Sequence, residues 1–189
     1  MRLRVGEAGA SYQANLCQIP DKMNDNEYPN GRWNATEFFE RLTATNRLAK
    51  SEGFTFCQVS GLDGFEEALD NMQQSLAFVC VSDIANGFTE QHNTPLTRRV
   101  KTVFMAMRHK IDDMAARNSC MDTMREVFRQ FMSLLILEKT KLEEQCIYLD
   151  PRISFNEIDR YFFSGCACAF FQVAVDVYTD LRYNPTEWD

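Results

Sequence analysis

The sequence predicts an α+β protein: a mainly antiparallel sheet with a long central helix and an N-terminal helix packed on one face, and a long projecting hairpin. Residues 112–145 carry apolar side chains at three- and four-residue steps, the spacing of an amphipathic helix. Residues 97–108 and 168–179 contain the long β-branched and aromatic runs typical of strands. Strands that follow one another before the central helix indicate an α+β arrangement.

Length and composition fit one domain with a sizeable core. The chain has 189 residues, of which 45% are hydrophobic and 25% charged. We expect that domain to span residues 34–189. Residues 1–33 are rich in Asn, Asp, Gly and Pro and show no sustained periodicity, so we expect an N-terminal arm or extension. Such a segment is either a loose tail or an arm that reaches a neighbouring subunit.

The net charge argues against nucleic acid as a partner, and the cysteines indicate a reducing compartment. A net charge of −7 argues against a surface that neutralises phosphates, because nucleic-acid binding needs clustered Lys and Arg. The seven cysteines are scattered and mostly flanked by apolar residues, which predicts buried thiols in a reducing compartment. There is no signal-peptide pattern and no apolar run near the ~20 residues of a membrane span, so we expect a cytosolic protein without a membrane anchor.

Residues 34–81 are predicted to form two helices and two strands. Asn34 is a good N-cap with Glu37 three residues later, and apolar positions continue at helical spacing to Lys50. We then expect a strand at 54–60, a turn at 61–64, a short helix at 65–74 and a strand covered on both faces at 76–81.

Residues 82–96 are predicted to form a long, exposed hairpin loop, because they contain Gly87, Asn93 and Pro95. A long strand follows at 97–108. One of its faces carries Arg99 and Lys101 near the start and becomes apolar later, so we expect the strand to project at its beginning and to be buried further on.

The central helix is predicted to lie on the sheet. Its wide apolar stripe comprises Met121, Met124, Phe128, Phe131 and Leu135, with a second row of Val127, Leu134 and Leu137. A helix of thirty residues would be about 45 Å long, a length at which helices often bend, although no Gly or Pro marks a break.

Beyond the helix we expect a short strand at 146–149, a turn at Asp150-Pro151, and a segment at 153–163 that is ambiguous between strand and helix. The closing strand at 168–179 has apolar residues on both faces, as Phe170 opposite Phe171 illustrates. If the helices collect on one face, such a strand needs further cover, which a second subunit would supply.

The most conspicuous cysteines are Cys166 and Cys168. Both would lie on one face of a strand, but zinc needs four ligands and the usual spacing is Cys-x2-Cys. No Cys/His pair at ligand spacing lies elsewhere. We therefore expect structural thiols and no metal.

A hydrolase that combines a cysteine, His109 and Asp112 or Asp113 can be imagined. Nothing local builds a nucleophile elbow or an oxyanion hole, and Gly-rich phosphate loops are absent. His109 is expected to be a surface residue at a strand end, and we predict no catalytic residue and no cofactor.

The succession of elements resembles a known group of proteins. An N-terminal helix precedes an extended hairpin ending in residues 98–107 (RRVKTVFMAM), an acidic turn at Asp112-Asp113, a long helix and a closing strand at 170–178. This pattern is similar to the tail-terminator and tail-completion proteins of long-tailed bacteriophages, the group that includes the minor tail protein U of lambda. The ending at 183–188 (YNPTEW) resembles small proteins of Bacteroides-type phages and prophages.

The resemblance implies a non-enzymatic virion protein. Such a protein forms a homo-oligomeric ring, commonly a hexamer, that caps the tail tube, meets the head-completion proteins and lets DNA pass without tight binding. It would be located at the head–tail junction, and in the host cytoplasm during assembly. The residues then expected at subunit or tube contacts are Phe88, His92, Arg98, Arg99 and Lys101, with the N-terminal arm.

Three alternatives stay open. One is another phage assembly protein, such as a connector or a chaperone, and another is a cytosolic protein-binding module without catalysis. The third is an enzyme that uses a cysteine and His109, which would require a pocket that joins the two side chains.

Overall fold

The structure is a computed structural model that describes residues 33–71, 75–91, 94–159 and 165–188. The helices are α1 (Ala35–Thr45), α2 (Arg47–Ser51), α3 (Gly61–Asn71) and α4 (Met114–Glu144), and a 3-10 turn forms at Pro185–Glu187. The strands are β1 (Phe54–Val59), β2 (Ala77–Ser82), β3 (Asn86–Glu90), β4 (Leu96–Arg108), β5 (Ile147–Leu149), β6 (Phe155–Glu157) and β7 (Cys166–Tyr178). Residues 1–32 of the predicted arm lie outside the described residues.

The seven strands form one sheet. Five of them follow the order β1-β2-β4-β7-β5, while β3 pairs with β4 and β6 pairs with β7. Its centre is the antiparallel pair β4 and β7, which stay in register over all 13 residues, from Leu96 opposite Tyr178 to Arg108 opposite Cys166. β2 and β3 lie end to end along the other edge of β4, and β5 and β6 lie end to end along the other edge of β7. β1 and β2 are parallel because α3 carries the chain back between them, and the remaining pairs are antiparallel.

The first face of the sheet is covered by α1 and α4. Phe39 of α1 and Phe128 of α4 both pack on Phe171 of β7, with ring centroids 5.5 Å and 5.0 Å away. The two helices are also joined by a bond from Asn46 Nδ2 to Gln130 Oε1 of 2.8 Å. This layer holds the larger core cluster, which includes Val79, Val103, Met105, Met124, Val127, Leu135 and Val173.

The second face is covered by α3, but only over part of its area. Phe65 of α3 stacks on Phe104 of β4 with ring centroids 4.8 Å apart, and Leu69 packs beside it. The strand residues in this smaller cluster are Val59, Phe78, Cys80, Phe104, Ala106, Cys166 and Cys168. They come from β1, β2 and the ends of β4 and β7 that lie near Arg108.

The predicted fold class is confirmed. The sheet is mainly antiparallel, and α4 is one continuous helix of 31 residues without a break. It begins where the acidic turn predicted it, since Asp113 Oδ1 accepts the N–H of Ala116 at 2.8 Å. The expectation that all helices collect on one face is wrong, because α3 packs on the other. The prediction that Leu137 belongs to the apolar stripe of the central helix is also wrong, since this residue is 72% exposed.

Two local boundaries differ from the prediction. The helix expected to run from 34 to 50 is divided at Asn46, whose extended backbone ends α1 while its side chain caps α2 through the N–H of Ala49. The turn expected at 61–64 is the first turn of α3. Gly61 allows this start because its φ of 69° lies in the left-handed region.

The segment expected to be a long loop, 82–96, contains strand β3. All five of its residues are exposed, so no burial periodicity marks it in the sequence. The ambiguous segment at 153–163 contains strand β6 over its described part. The closing strand starts at Cys166, two residues before the predicted start.

Candidate functional site

The two central strands extend beyond the area that α3 covers. We call residues 103–108 of β4 and 166–171 of β7 the proximal half, and residues 96–102 and 172–178 the distal half. On the first face, α1 and α4 cover the proximal half and the β7 part of the distal half, while the start of β4 borders a groove. On the second face, α3 covers the proximal half, and no helix in the described ranges packs on the distal half. We call this uncovered surface the open face; its residues are Phe88, Arg98, Val100, Tyr148, Gln172 and Asp176.

Strand register places one row of these side chains across four strands. Phe88 of β3 lies opposite Arg98, Arg98 lies opposite Asp176, and Asp176 lies opposite Tyr148 of β5. Opposite residues of antiparallel strands point to the same side of a sheet. The row therefore has an aromatic ring at each end, with Phe88 55% and Tyr148 41% exposed, and charged groups in the middle.

The charged centre of the row is an ion triad. Arg98 Nη1 lies 3.2 Å from Asp176 Oδ2, and Arg98 Nη2 donates to Asp150 Oδ2 at the exit of β5. Asp150 also accepts the backbone N–H of Arg152 at 2.8 Å, and this bond together with the Arg98 guanidinium lowers the pKa of Asp150. One guanidinium between two carboxylates leaves a single net negative charge. Arg98 therefore joins β4, β7 and β5 within the chain.

Lys101 has a comparable internal role. Its Nζ donates to the carbonyl oxygens of Ser82, Asp83 and Ile84 at 3.0, 2.6 and 3.3 Å. Burial lowers the pKa of Lys101. The ammonium thus holds the segment between β2 and β3 against β4 and fixes where the hairpin leaves the sheet.

At the base of the hairpin, the backbone of Gly87 lies very close to the carbonyl group of Arg98. A Cβ atom on Gly87 would lie 1.9 Å from the carbonyl oxygen of Arg98. Only glycine fits at this point of the β3–β4 pair, because a contact of that length would force the backbone to shift.

Arg99 lies on the first face, away from the open face. It is exposed and lines a groove of about 700 Å³ between the start of α1 and the hairpin, together with Trp33, Asn34 and Lys101. All four described contact residues of the prediction, Phe88, Arg98, Arg99 and Lys101, border this groove, and Phe88 and Arg98 also belong to the open face. His92 lies outside the described residues.

Further exposed aromatic residues lie at the distal end. The chain leaves β7 beside the start of β4, where Thr179 N–H donates to Pro95 O at 3.0 Å. Beyond it, Tyr183 and Trp188 are 74% and 67% exposed and stack on each other with centroids 6.4 Å apart. These two rings add exposed aromatic surface near the start of β4, although other exposed apolar side chains, such as Leu76, Ile111 and Leu137, lie elsewhere on the molecule.

His109 and the cysteines considered for a hydrolase do not have the surroundings of catalytic residues. His109 Nδ1 lies 2.9 Å from Lys110 O, and its buried Nε2 has no hydrogen-bond partner in the described structure. Burial raises the pKa of Cys120 and Cys166, whereas a nucleophilic thiol needs a lowered pKa. These thiols are not activated.

Cys166 and Cys168 are both buried under α3, where they pack with Phe104 and Ala106. No group of three or more His, Cys, Asp or Glu side chains in the described ranges could hold a metal ion. Cys146 departs from the expected set of reduced thiols because it is disulfide-bonded. The other five cysteines that the structure describes are free.

No protein-family model matches this chain, and no curated protein matches it in sequence. Across the part of the chain that the structure describes, no helix combines the length and the apolar character needed to cross a membrane.

Sequence reasoning missed part of the open face. Tyr148 and Asp150 were assigned only to a short strand and a turn, because their neighbours across the sheet are far away in sequence. Asp176 gave the available signal, since a charged residue alternating with Val175 and Val177 indicates a strand face that is not fully buried.

Proposed function

We propose that this protein is a structural, non-catalytic assembly subunit whose open face packs against a further copy of itself. The observation that carries the proposal is the uncovered distal half of β4 and β7. The same two strands are enclosed on both sides in their proximal half. In the distal half, no helix of the described ranges covers their second face, and the exposed rings of Phe88 on β3 and Tyr148 on β5 flank it.

Covering the open face would be favourable. A phenylalanine buries about 150–250 Å² when fully enclosed, so covering the exposed half of Phe88 removes on the order of 100 Å² from water. At about 25 cal/mol per Å² this contributes roughly 2–3 kcal/mol. Tyr148 adds a comparable surface with a hydroxyl that can keep a polar partner at the rim.

The charge distribution is compatible with contact between copies. The chain carries −7, so two identical subunits repel each other through most of their surface. In the open face, however, Arg98 offsets one of the two carboxylates beside it. The triad therefore carries one net negative charge instead of two.

A ring needs two different contact surfaces on each subunit, because head-to-tail contacts close into rings. The open face is one such surface. The side of β3 that points away from β4 provides the second, since all five residues of this strand are exposed. We propose that the projecting β3–β4 hairpin of one subunit contacts the open face of the next.

The more specific part of the proposal is a tail-terminator or tail-completion ring of a long-tailed bacteriophage. The order of N-terminal helix, projecting hairpin, long helix and closing strand supports it. In this role the ring, commonly a hexamer, caps the tail tube and joins it to the head-completion proteins, and DNA passes through its acidic lumen without tight binding.

Light scattering after size-exclusion chromatography tests self-association. The wild type is expected to form a closed oligomer, and Phe88→Asp and Tyr148→Asp are expected to elute as folded monomers. Leu137→Asp is the matched control, because Leu137 is an exposed apolar residue on α4, away from the open face. If the wild type is monomeric at all concentrations, alone and in the presence of tail tubes, the assembly proposal fails.

Localisation tests the phage assignment separately. Immunogold labelling of particles from the strain that carries the gene is expected to mark the junction of head and tail. Label at another position on the particle, or its absence from particles, would contradict the tail-terminator assignment while leaving self-association intact.

A further inference from the structure

Two free thiols face each other in the parallel pair at the edge of the sheet. Cys57 of β1 is the register partner of Cys80 of β2, and both side chains belong to the cluster under α3. Neighbouring strands are about 4.8 Å apart, and disulfides form between Cα atoms that are about 4.4–6.8 Å apart. The backbone is therefore already placed for a bond between these two sulfurs.

The two thiols differ in access and in acidity. Cys57 is half-buried on the edge strand, whereas Cys80 is fully buried. A hydrogen bond between the two thiols lowers the pKa of Cys57 and raises that of Cys80. Cys57 is thus the thiol that an oxidant reaches and also the better thiolate.

We propose that Cys57 and Cys80 are a redox-active dithiol that low-molecular-weight disulfides, such as oxidised glutathione, convert into an intramolecular disulfide. The Cys57 thiolate attacks one sulfur of the oxidant, whose S–S bond breaks and releases one glutathione thiolate. Cys80 then attacks Cys57 Sγ and releases the second glutathione, and the proton of Cys80 goes to the departing thiolate. The protein loses two electrons and two protons, and the oxidant is reduced to two thiols.

The register also determines the pairing. Cys168 lies on β7, two strands from β2, at a spacing of about 9.6 Å that no disulfide spans. Cys120 is directed toward the end of β4, where its thiol donates to Arg108 O at 3.8 Å. Oxidation of the Cys57–Cys80 pair would fasten the edge strand β1 to the sheet. This inference is independent of the assembly proposal.

Mass spectrometry of the folded full-length chain tests the pairing. Trypsin releases both cysteines in one fragment, 51–98, because no Lys or Arg lies between Lys50 and Arg98. Cleavage after Glu66 or Glu67 separates the two cysteines. After treatment with oxidised glutathione, fragment 51–98 is expected to lose two hydrogens, and the two Glu-cleaved pieces that hold Cys57 and Cys80 are expected to stay joined until reduced.

Two variants give the proposal its controls. Cys80→Ser is expected to keep a glutathione adduct on Cys57, because the resolving thiol is gone. Cys120→Ser removes a different half-buried thiol and is expected to leave the linkage unchanged. A wild-type protein in which Cys57 stays reduced, keeps the adduct or pairs with another cysteine would overturn the proposal.

Discussion

The proximal and distal halves of β4 and β7 share the same strands but have different surroundings. In the proximal half, Val103 and Phe104 are both buried although they point to opposite faces, because helices lie on both sides. In the distal half, Val173 is buried under α4 while its neighbour Gln172 is exposed. The difference shows that the chain completes its core over only part of the sheet.

The composition of the uncovered part matters as much as its exposure. Single exposed apolar residues are common on protein surfaces, but the open face places two exposed aromatic rings in one row with a paired ionic centre. That combination is typical of protein interfaces, in which aromatic residues and arginine are enriched. The comparison predicts that substitutions in the proximal half affect folding and substitutions in the open face affect association.

The largest expected effect comes from the proximal core. Phe171→Ala removes the ring on which Phe39 and Phe128 pack, and should lower the free energy of unfolding by about 3–5 kcal/mol. Urea denaturation of the monomer measures this loss. Phe88→Ala, which truncates an aromatic ring of the open face, should change it by less than about 0.5 kcal/mol. If Phe171→Ala and Phe88→Ala lowered the free energy of unfolding by similar amounts, the open face would contribute to folding as the proximal core does, which would contradict the prediction.

A smaller effect is expected at the ion triad. Arg98→Met leaves Asp150 and Asp176 without their cation, and should destabilise the monomer by about 1–2 kcal/mol, since the three side chains are only about one quarter exposed. A double-mutant cycle with Asp176→Asn measures the coupling. If the two single losses add without coupling, the triad does not hold the distal strands together.

The pH dependence of the triad should be weaker still. Because the pKa of Asp150 is lowered in the folded state, its ionised form contributes stability that is fully present above the ordinary aspartate pKa. That stability is lost as the pH falls below about 4 and through the lowered value. The difference in unfolding free energy between wild type and Asp150→Asn should therefore be constant near pH 7 and shrink in acid. A difference that stays constant down to pH 2 would contradict this role.

Much of the fold could be predicted from the sequence, because the signals involved are local. The cap at Asp113, the helical period that follows it and the alternation in β4 depend on residues close together in the chain. Strand β3 was not predicted because its exposed residues carry no burial pattern. The side on which α3 packs was predicted wrongly, since an amphipathic helix with Phe65 and Leu69 fits either face of a sheet.

The candidate site was predicted less completely, because its contacts are distant in sequence. Arg98 and Lys101 were expected to project from the hairpin as contact residues. Their partners, Asp150, Asp176 and the carbonyl groups of 82–84, are brought to them by strand pairing and by the turn into β3. The exposure of Phe88 could be predicted from its position in the hairpin alone, without knowledge of residues distant in sequence.

Hydrogen–deuterium exchange of the oligomer and the dissociated monomer tests the central claim most directly. If a copy covers the open face, amides of Asn86–Glu90 and Ile147–Leu149 should exchange more slowly in the oligomer, while amides near Leu137 should exchange at the same rate in both states. Equal exchange in β3 and β5 in both states, with protection confined to another surface, would contradict the account.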